Sequence, residues 1–394
     1  MTYKQPAGES TPHTPHTRVQ LAGRQLAAER KRPRSRRPGK TPAEAASPGV
    51  TPRVRVDSVA GVLAVIPYLL GFHPSSSLVV IGIEPPGGQI KLAFRYDLPD
   101  PPDADQAGEI IAHAIAVLGR QQVGAVIAVG YGPGALVTPV AELLRTAIHR
   151  TKIMLPDLLR VEDGRYWSYV CDNPHCCPAE GVPFDALAHP AAAALTTAGI
   201  PAYPDRESLS RSLAPVSGPA ADSMSQATQR ALRRAEKLLT APSRPASGDA
   251  MRPFVQAGRQ AVRDAIASYR NGGQITDDDQ LAWLTVVLAD LRVRDDAWAR
   301  MDPAHRTAHL RMWTDVVRRA RPPYVPAPAS LLAFTAWQAG DGALANIAIE
   351  RALAADPGYS MALLLAEALE SGLPPSAARL PMTPEEVEAS YEGR

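Results

Sequence analysis

The 394-residue chain has few cysteines and no long apolar runs. Three cysteines are too few for the disulfide framework of a small secreted scaffold, which excludes that class. The longest apolar run, Val59–Phe72, is interrupted by glycine and proline and is shorter than the ~20 residues that a membrane-spanning helix needs. The N-terminus carries basic residues without the apolar stretch of a secretory signal. We therefore expect a cytoplasmic protein without a membrane segment.

Net charge is also small, at +2, but it is unevenly distributed. Residues 1–50 contain ten Lys or Arg against three Glu, and the rest of the chain carries an excess of acidic residues. Because this N-terminal segment is rich in Pro, Ser and Thr and lacks apolar periodicity, we predict a disordered basic tail. Residues 30–40 within it are candidate contacts for nucleic-acid phosphates, and a solvated tail is the alternative. Arginine far outnumbers lysine throughout the chain. A GC-rich genome explains this excess, so the number of arginines alone does not indicate nucleic-acid binding.

Residues 51–184 have the pattern of an α/β domain. Ser58 is placed to cap a buried helix that stops before Gly71, a residue suited to a left-handed end. Short apolar runs alternate with amphipathic stretches, which is typical of a layered domain with a mixed or partly parallel sheet. Runs that are apolar at every position suit a sheet covered on both faces. The predicted elements are strands Ser77–Ile83, Gln89–Tyr96, Val123–Val129, Leu158–Val161 and Tyr166–Val170 and helices Ala104–Gly119 and Leu136–His149.

Residues 185–380 lack strand patterns and are predicted to form an all-α domain. Thr276 is expected to cap one of its helices. Taking Pro357 as the proline of a tetratricopeptide pattern of about 34 residues puts small or apolar residues at the pattern's positions. We therefore expect a tetratricopeptide-like hairpin, a candidate surface for a protein partner, and a short C-terminal helix or tail over residues 381–394. The predicted helices are Asp185–Ala198, Asp222–Thr240, Met251–Tyr269, Thr276–Leu291 and Asp302–Ala320, and the pattern residues are Leu332, Ala336, Ala345, Ile349 and Ala352.

All three cysteines lie within seven residues, with a histidine among them. Thiolates and imidazoles are ligands that Zn²⁺ prefers, so Cys171, His175, Cys176 and Cys177 are candidate zinc ligands. Adjacent cysteines rarely bind one tetrahedral ion together, and a further residue such as His73 would have to complete the site. A redox pair such as Cys171–Cys176, or a reactive thiol, is a second interpretation. A turn whose small side chains are cysteine is a third, and the sequence leaves all three open.

Two other patterns have simpler explanations. The loop Gly130–Ala135 follows a predicted strand and precedes a helix, which is the setting of a phosphate-binding glycine motif. A glycine-rich turn that reverses the chain explains it equally well, because Pro133 removes one amide donor. His305 and His309 stand one helical turn apart, but without a partnering Glu they form at best half of a zinc site.

A candidate polar site combines residues from both domains. His73 follows the first helix of the α/β domain, whereas Arg294 and Asp295 lie in a predicted helix of the second domain. We consider a cleft between the sheet and the helical domain as the place where they would meet.

Several segments resemble the actinobacterial family catalogued as domain of unknown function 4192. The resemblance covers roughly residues 53–375 and implies an architecture without a reaction, since the family name records no established activity. The motifs that carry it are Val56–Pro74 followed by Ser77–Val80, Gly164–Tyr169 with Cys171 and Cys176–Pro178, Val293–Asp295 with Trp298, and Ala333–Phe334 through Trp337 to Gly340–Ala343.

Three functions follow as hypotheses. The first is a binding or regulatory protein without catalysis, because no complete catalytic constellation is found. The second is an enzyme that uses a zinc or thiol centre at Cys171–Cys177. The third is a protein that associates with nucleic acid through its basic tail.

Overall fold

The computed structural model describes residues 19–20, 54–84, 88–240, 251–377 and 383–392. The predictions of a disordered tail over residues 1–50 and of nucleic-acid contacts at residues 30–40 lie outside the described residues, apart from a short strand at Val19–Gln20. A sheet with helices comes first, and a helical region follows it, which confirms the predicted fold class.

Among the described residues the sheet is mixed and has eight strands: β1 Val19–Gln20, β2 Arg55–Val56, β3 Ser77–Glu84, β4 Gln89–Asp97, β5 Ala125–Tyr131, β6 Met154–Glu162, β7 Arg165–Ser168 and β8 Val182–Pro183. Their order across the sheet is β2-β1-β4-β3-β5-β6-β7-β8. The long strand β3 runs antiparallel to both of its neighbours, β4 and β5, whereas β5 and β6 run parallel. Strands β6, β7 and β8 form an antiparallel edge.

Both faces of the sheet are covered, which explains why its central strands are apolar at successive positions. Three helices pack against the sheet: α1 Val59–Leu70, α2 Ala104–Arg120 and α3 Gly134–His149. Leu78 and Val80 pack on the side of α2 and α3, while Val79 and Ile81, one residue on, point to the side of α1.

Local signals determine where α1 begins and ends. The Ser58 hydroxyl accepts a hydrogen bond from the Gly61 amide at 3.1 Å, as an N-cap does. Gly71 ends the helix with φ of 78°, a conformation that glycine adopts without steric cost. Both predictions are confirmed. The chain then pairs with a later segment, because the His73 amide donates to the Tyr203 carbonyl at 2.9 Å.

The remaining α-helices of the described residues follow the sheet, and several of their predicted boundaries are wrong. The helix predicted over Thr276–Leu291 is α8, Asp278–Val287. Asp277, not Thr276, caps α8, since its carboxylate accepts from the Asp279 amide. The helix predicted from Asp185 begins at Pro190, because Asp185 instead closes a turn with two following amides. The helices are α4 Pro190–Thr197, α5 Arg206–Ser212, α6 Pro219–Thr240, α7 Arg252–Arg270, α8 Asp278–Val287, α9 Leu291–Ala299, α10 Arg306–Arg319, α11 Pro326–Gln338, α12 Gly342–Ala355, α13 Ser360–Glu370 and α14 Pro384–Glu392.

One apolar core runs from the α1 side of the sheet into the helical region. It includes Val79 and Leu159 of the sheet together with Trp313 and Phe334 of the helices, all at most 2% exposed. The residues placed on the tetratricopeptide pattern are buried between α11 and α12, while the repeat assignment itself stays a prediction. None of the described helices combines the length and apolarity needed to cross a bilayer.

Candidate functional site

The cysteine-containing loop, residues 169–181, leaves the end of β7 and is anchored at both ends by that strand. The Ser168 hydroxyl accepts hydrogen bonds from two amides at the start of the loop, including that of Cys171 at 3.1 Å. At its other end, Trp167 Nε1 donates to the Ala179 carbonyl at 3.0 Å, and Arg165 donates to the Gly181 carbonyl at 2.9 Å. The loop is therefore held by the sheet even though it is largely exposed.

Within this loop the chain turns so that all three thiols converge. The amides of Cys176 and Cys177 both donate to the Asn173 carbonyl, at 3.2 and 2.9 Å, which folds the loop back on itself. The three sulfurs lie within 4.8 Å of one another, and the Cys171 and Cys176 sulfurs are 3.2 Å apart. In a tetrahedral zinc site with Zn–S bonds of about 2.3 Å, the sulfurs stand about 3.8 Å apart. Small adjustments would bring the thiols to that spacing.

The three thiols differ in acidity because of their hydrogen bonds. The Asn173 backbone amide lowers the pKa of Cys171, and the neighbouring thiols of Cys176 and Cys177 lower it further. Burial and proton donation toward Cys171 raise the pKa of Cys177 to about 12. Of the three thiols, that of Cys171 therefore loses its proton most readily. A thiolate is the form that binds metal or attacks an electrophile.

His175 belongs to the same loop but not to the cluster of sulfurs. Its backbone amide donates to the Asn173 side chain at 3.0 Å, and its side chain is exposed. Among the described residues, the three cysteines form the only group of three or more His, Cys, Asp or Glu side chains that could share a metal ion. The structure therefore brings the sulfurs together without an imidazole.

Tyr166, from the motif Gly164–Tyr169, and Asp157 lie on the two strands next to the loop and have raised pKa values. Tyr166 is in β7 and packs edge-on against the Phe184 ring. Burial raises its pKa, and the Cys177 thiol and the Asp157 carboxylate raise it further. Asp157 is in β6, where burial raises its pKa to about 6. Asp157 directly precedes the predicted strand Leu158–Val161, so an acidic residue next to an apolar run was the sequence signal that could have identified it.

The contacts of the other predicted polar residues, Arg294, Asp295 and His73, are to different partners. Arg294 and Asp295 bind each other in α9, with guanidinium-to-carboxylate distances of 2.7 and 2.9 Å. The Tyr391 hydroxyl of α14 donates to the same carboxylate at 2.7 Å, so the pair holds two helices together. Asp295 therefore faces α14, whereas His73 is paired through its backbone with Tyr203.

The two weaker patterns adopt simple structural roles. The glycine-rich loop joins β5 to α3, and a Cβ on Gly130 would come within 2.1 Å of Val137, so glycine is needed for close packing. His309 is buried, and its imidazole accepts the Asp302 amide at 3.3 Å. His305 contacts the Asp302 side chain at 2.7 Å, so both histidines serve the entry into α10.

Comparison with known proteins gives one match. The model of the family described as a domain of unknown function (DUF4192) matches residues 60–376, so the chain belongs to this family. The match contains the cysteine-containing loop, the strands that anchor it and most of the helical region. No curated protein and no solved structure is similar enough to this chain to give a match.

Proposed function

We propose that this DUF4192 protein is a metal-binding protein, in which Cys171, Cys176 and Cys177 hold a zinc ion at the edge of the sheet. Its role is regulatory or structural, and the ion stabilises the cysteine-containing loop as part of a binding surface. The observation that carries the proposal is the convergence of three sulfurs within 4.8 Å of one another. A fourth ligand, water or a group from a partner, would complete the tetrahedral site.

The number of sulfurs favours metal over a structural disulfide. A disulfide would bond only two of the three sulfurs, whereas a thiophilic ion can bind all three. A disulfide between Cys171 and Cys176 would close a very short loop and stabilise the fold by only about 2 kcal/mol. The anchors on β7 also support the proposal, because outer hydrogen bonds that orient ligands are part of most metal sites.

The test is the metal content of the full-length protein purified under reducing conditions without chelator. We expect close to one zinc per chain by elemental analysis, and intense thiolate-to-metal absorption after exchange with Co²⁺. Cys176→Ser and Cys177→Ser should each weaken zinc binding strongly, whereas His175→Ala, in the same loop, is the matched control and should leave it unchanged. A zinc content near zero in wild type, together with no Co²⁺ absorption, would refute the metal site.

A thiol redox site is the alternative that the Cys171–Cys176 distance of 3.2 Å favours. In that case hydrogen peroxide would oxidise the two thiols to a disulfide, with two water molecules as the other products. Mass spectrometry after peroxide treatment would show a loss of two hydrogens and a Cys171–Cys176 crosslinked peptide. Prior loading with zinc protects these thiols if the metal site is correct.

A protein-binding role for the helical region is a second candidate function. Leu363 and Leu364 are exposed at 47% and 66% on α13, the outer helix of the segment with tetratricopeptide-like spacing. Replacing both with serine should reduce retention of a specific partner in pull-downs from native extract. Leu187→Ser, at an equally exposed leucine elsewhere, is the control. Equal retention by all variants would remove this surface as the binding site.

A further inference from the structure

A cavity of about 530 Å³ lies in the helical region, far along the chain from the cysteines. It is bounded by α7, by the end of α9 and by Pro384 at the start of α14. Its size falls within the range of pockets that hold small molecules. Ile266 and Ala267 supply an apolar wall, and the remaining lining is strongly basic.

Three arginines line this cavity, and two of them have no carboxylate partner. Arg263 donates twice to the neutral side-chain oxygen of Gln260, at 2.6 and 3.2 Å. Arg270 contacts the His305 imidazole at 3.2 Å. Neither forms an ion pair with an acidic side chain in the part of the chain that the structure describes. The charge of Arg263 is therefore available to a ligand, whereas part of the charge of Arg270 acts on the Asp302 carboxylate, whose pKa it helps to lower.

The third arginine is held in place from behind. Arg300 makes a two-pronged contact with the buried carboxylate of Asp296, at 2.7 and 2.9 Å. That fork uses Nε and Nη2 of the guanidinium, so Nη1 does not take part in it. Glu385 and Glu388 of α14 also act on Arg300 and, after Asp296, help to raise its pKa. These carboxylates offset part of the positive charge at the α14 end.

We infer that this cavity binds a small molecule carrying a diphosphate group. Guanidinium groups recognise phosphate oxygens through paired, charge-assisted hydrogen bonds, and two arginines without carboxylate partners match a group of more than one negative charge. The Asn271 side chain, also in the lining, supplies a neutral donor. Ile266 and Ala267 would contact an apolar or planar part of the ligand.

The experiment is titration calorimetry on the full-length protein with inorganic pyrophosphate and with adenosine diphosphate, at matched ionic strength. Both should bind, and Arg263→Ala/Arg270→Ala should lower both affinities by about tenfold or more. The control is Arg233→Ala/Arg318→Ala, which removes two exposed arginines of α6 and α10 and should change affinity little. Tighter binding of the nucleotide would identify a nucleoside diphosphate as the ligand type, and equal binding a free diphosphate.

Three results would overturn the inference. One is the absence of binding of either compound at millimolar concentration. Another is an equal loss of affinity in the control variant, which would mean nonspecific attraction to a basic surface. A third is much tighter binding of a DNA duplex that is lost in the same Arg263→Ala/Arg270→Ala variant. Because all four arginines are on the surface of helices, circular dichroism melting should confirm that both variants are folded.

Discussion

Replacing Asp157 with asparagine should stabilise the protein at neutral pH. Asp157 lies in β6 and is mostly buried, and its carboxylate has no hydrogen bond or ion pair among the described residues. Burial raises its pKa from 3.8 to about 6. At about 1.4 kcal/mol for each pKa unit, ionising this carboxyl costs about 3 kcal/mol more in the folded protein than in the unfolded chain. Since part of the side chain still contacts water, we expect the variant to raise the free energy of unfolding by about 2 kcal/mol.

The sign of the pH dependence follows from which state binds the proton. Between pH 3.8 and about 6 the folded protein keeps Asp157 protonated while the unfolded chain does not. Stability from this group is therefore complete below pH 3.8 and is lost as pH rises through about 6. The advantage of Asp157→Asn should be close to zero near pH 4 and reach its full size above pH 6.

His309 should act in the opposite direction over the same range. It is 2% exposed, and burial lowers its pKa to about 4, so the folded state holds it neutral where the unfolded state is charged. Its contribution is present above pH 6.5 and falls by about 3 kcal/mol as pH drops to about 4. In wild type the two groups oppose each other, whereas in Asp157→Asn the loss of stability that His309 causes on acidification should no longer be offset by Asp157.

The assay is urea unfolding followed by circular dichroism at several pH values between 4 and 7.5. Asp57→Asn, at an exposed carboxylate, is the control and should match wild type throughout. The reasoning is refuted if Asp157→Asn is less stable than wild type at pH 7, or if their difference does not change with pH. Either result would mean that Asp157 has a stabilising partner in the folded protein.

Three further predictions test other contacts. Ser168→Ala should lower zinc affinity by about tenfold to a hundredfold in a chelator competition assay, because the loop loses its two amide contacts to the hydroxyl, and unchanged affinity would show that this anchor is not needed. Ser58→Ala should lower the free energy of unfolding by about 1 kcal/mol through loss of the α1 cap, and Ser58→Asn, another good cap, should retain most of it. Gly130→Ala should destabilise the fold by about 1–3 kcal/mol because its methyl group would overlap Val137, and a neutral result in thermal melting would indicate that α3 can move away.

The parts of the fold that could be predicted are those set by neighbouring residues. The cap at Ser58 and the stop at Gly71 are local signals, and both are where the sequence indicated. The error at Thr276 has the same origin, because Asp277 is an equally good cap one residue later. The position of β3 between two antiparallel partners depends on pairing between distant segments, for which the sequence contains no local signal.

The candidate site was predictable in composition but not in geometry. The three cysteines are obvious in the sequence, yet their convergence depends on the Asn173 carbonyl and on side chains of β7. Tyr166 and Asp157 interact because β6 and β7 pair in one register. A shift of one residue would turn these side chains to the opposite face of the sheet, and periodicity cannot choose between the two registers.

The unbroken core between the sheet and the helices has a consequence for how the chain loses its structure. Cutting the protein near residue 185 would remove the helical residues from the core that the sheet and α1 share with them, since Val79 and Val129 belong to the same core as Trp313 of α10. We therefore expect that neither half stays folded on its own. Slowly exchanging amide hydrogens in β3 and in α10 should therefore be released together, in a single opening event that exposes both ends of the molecule at once.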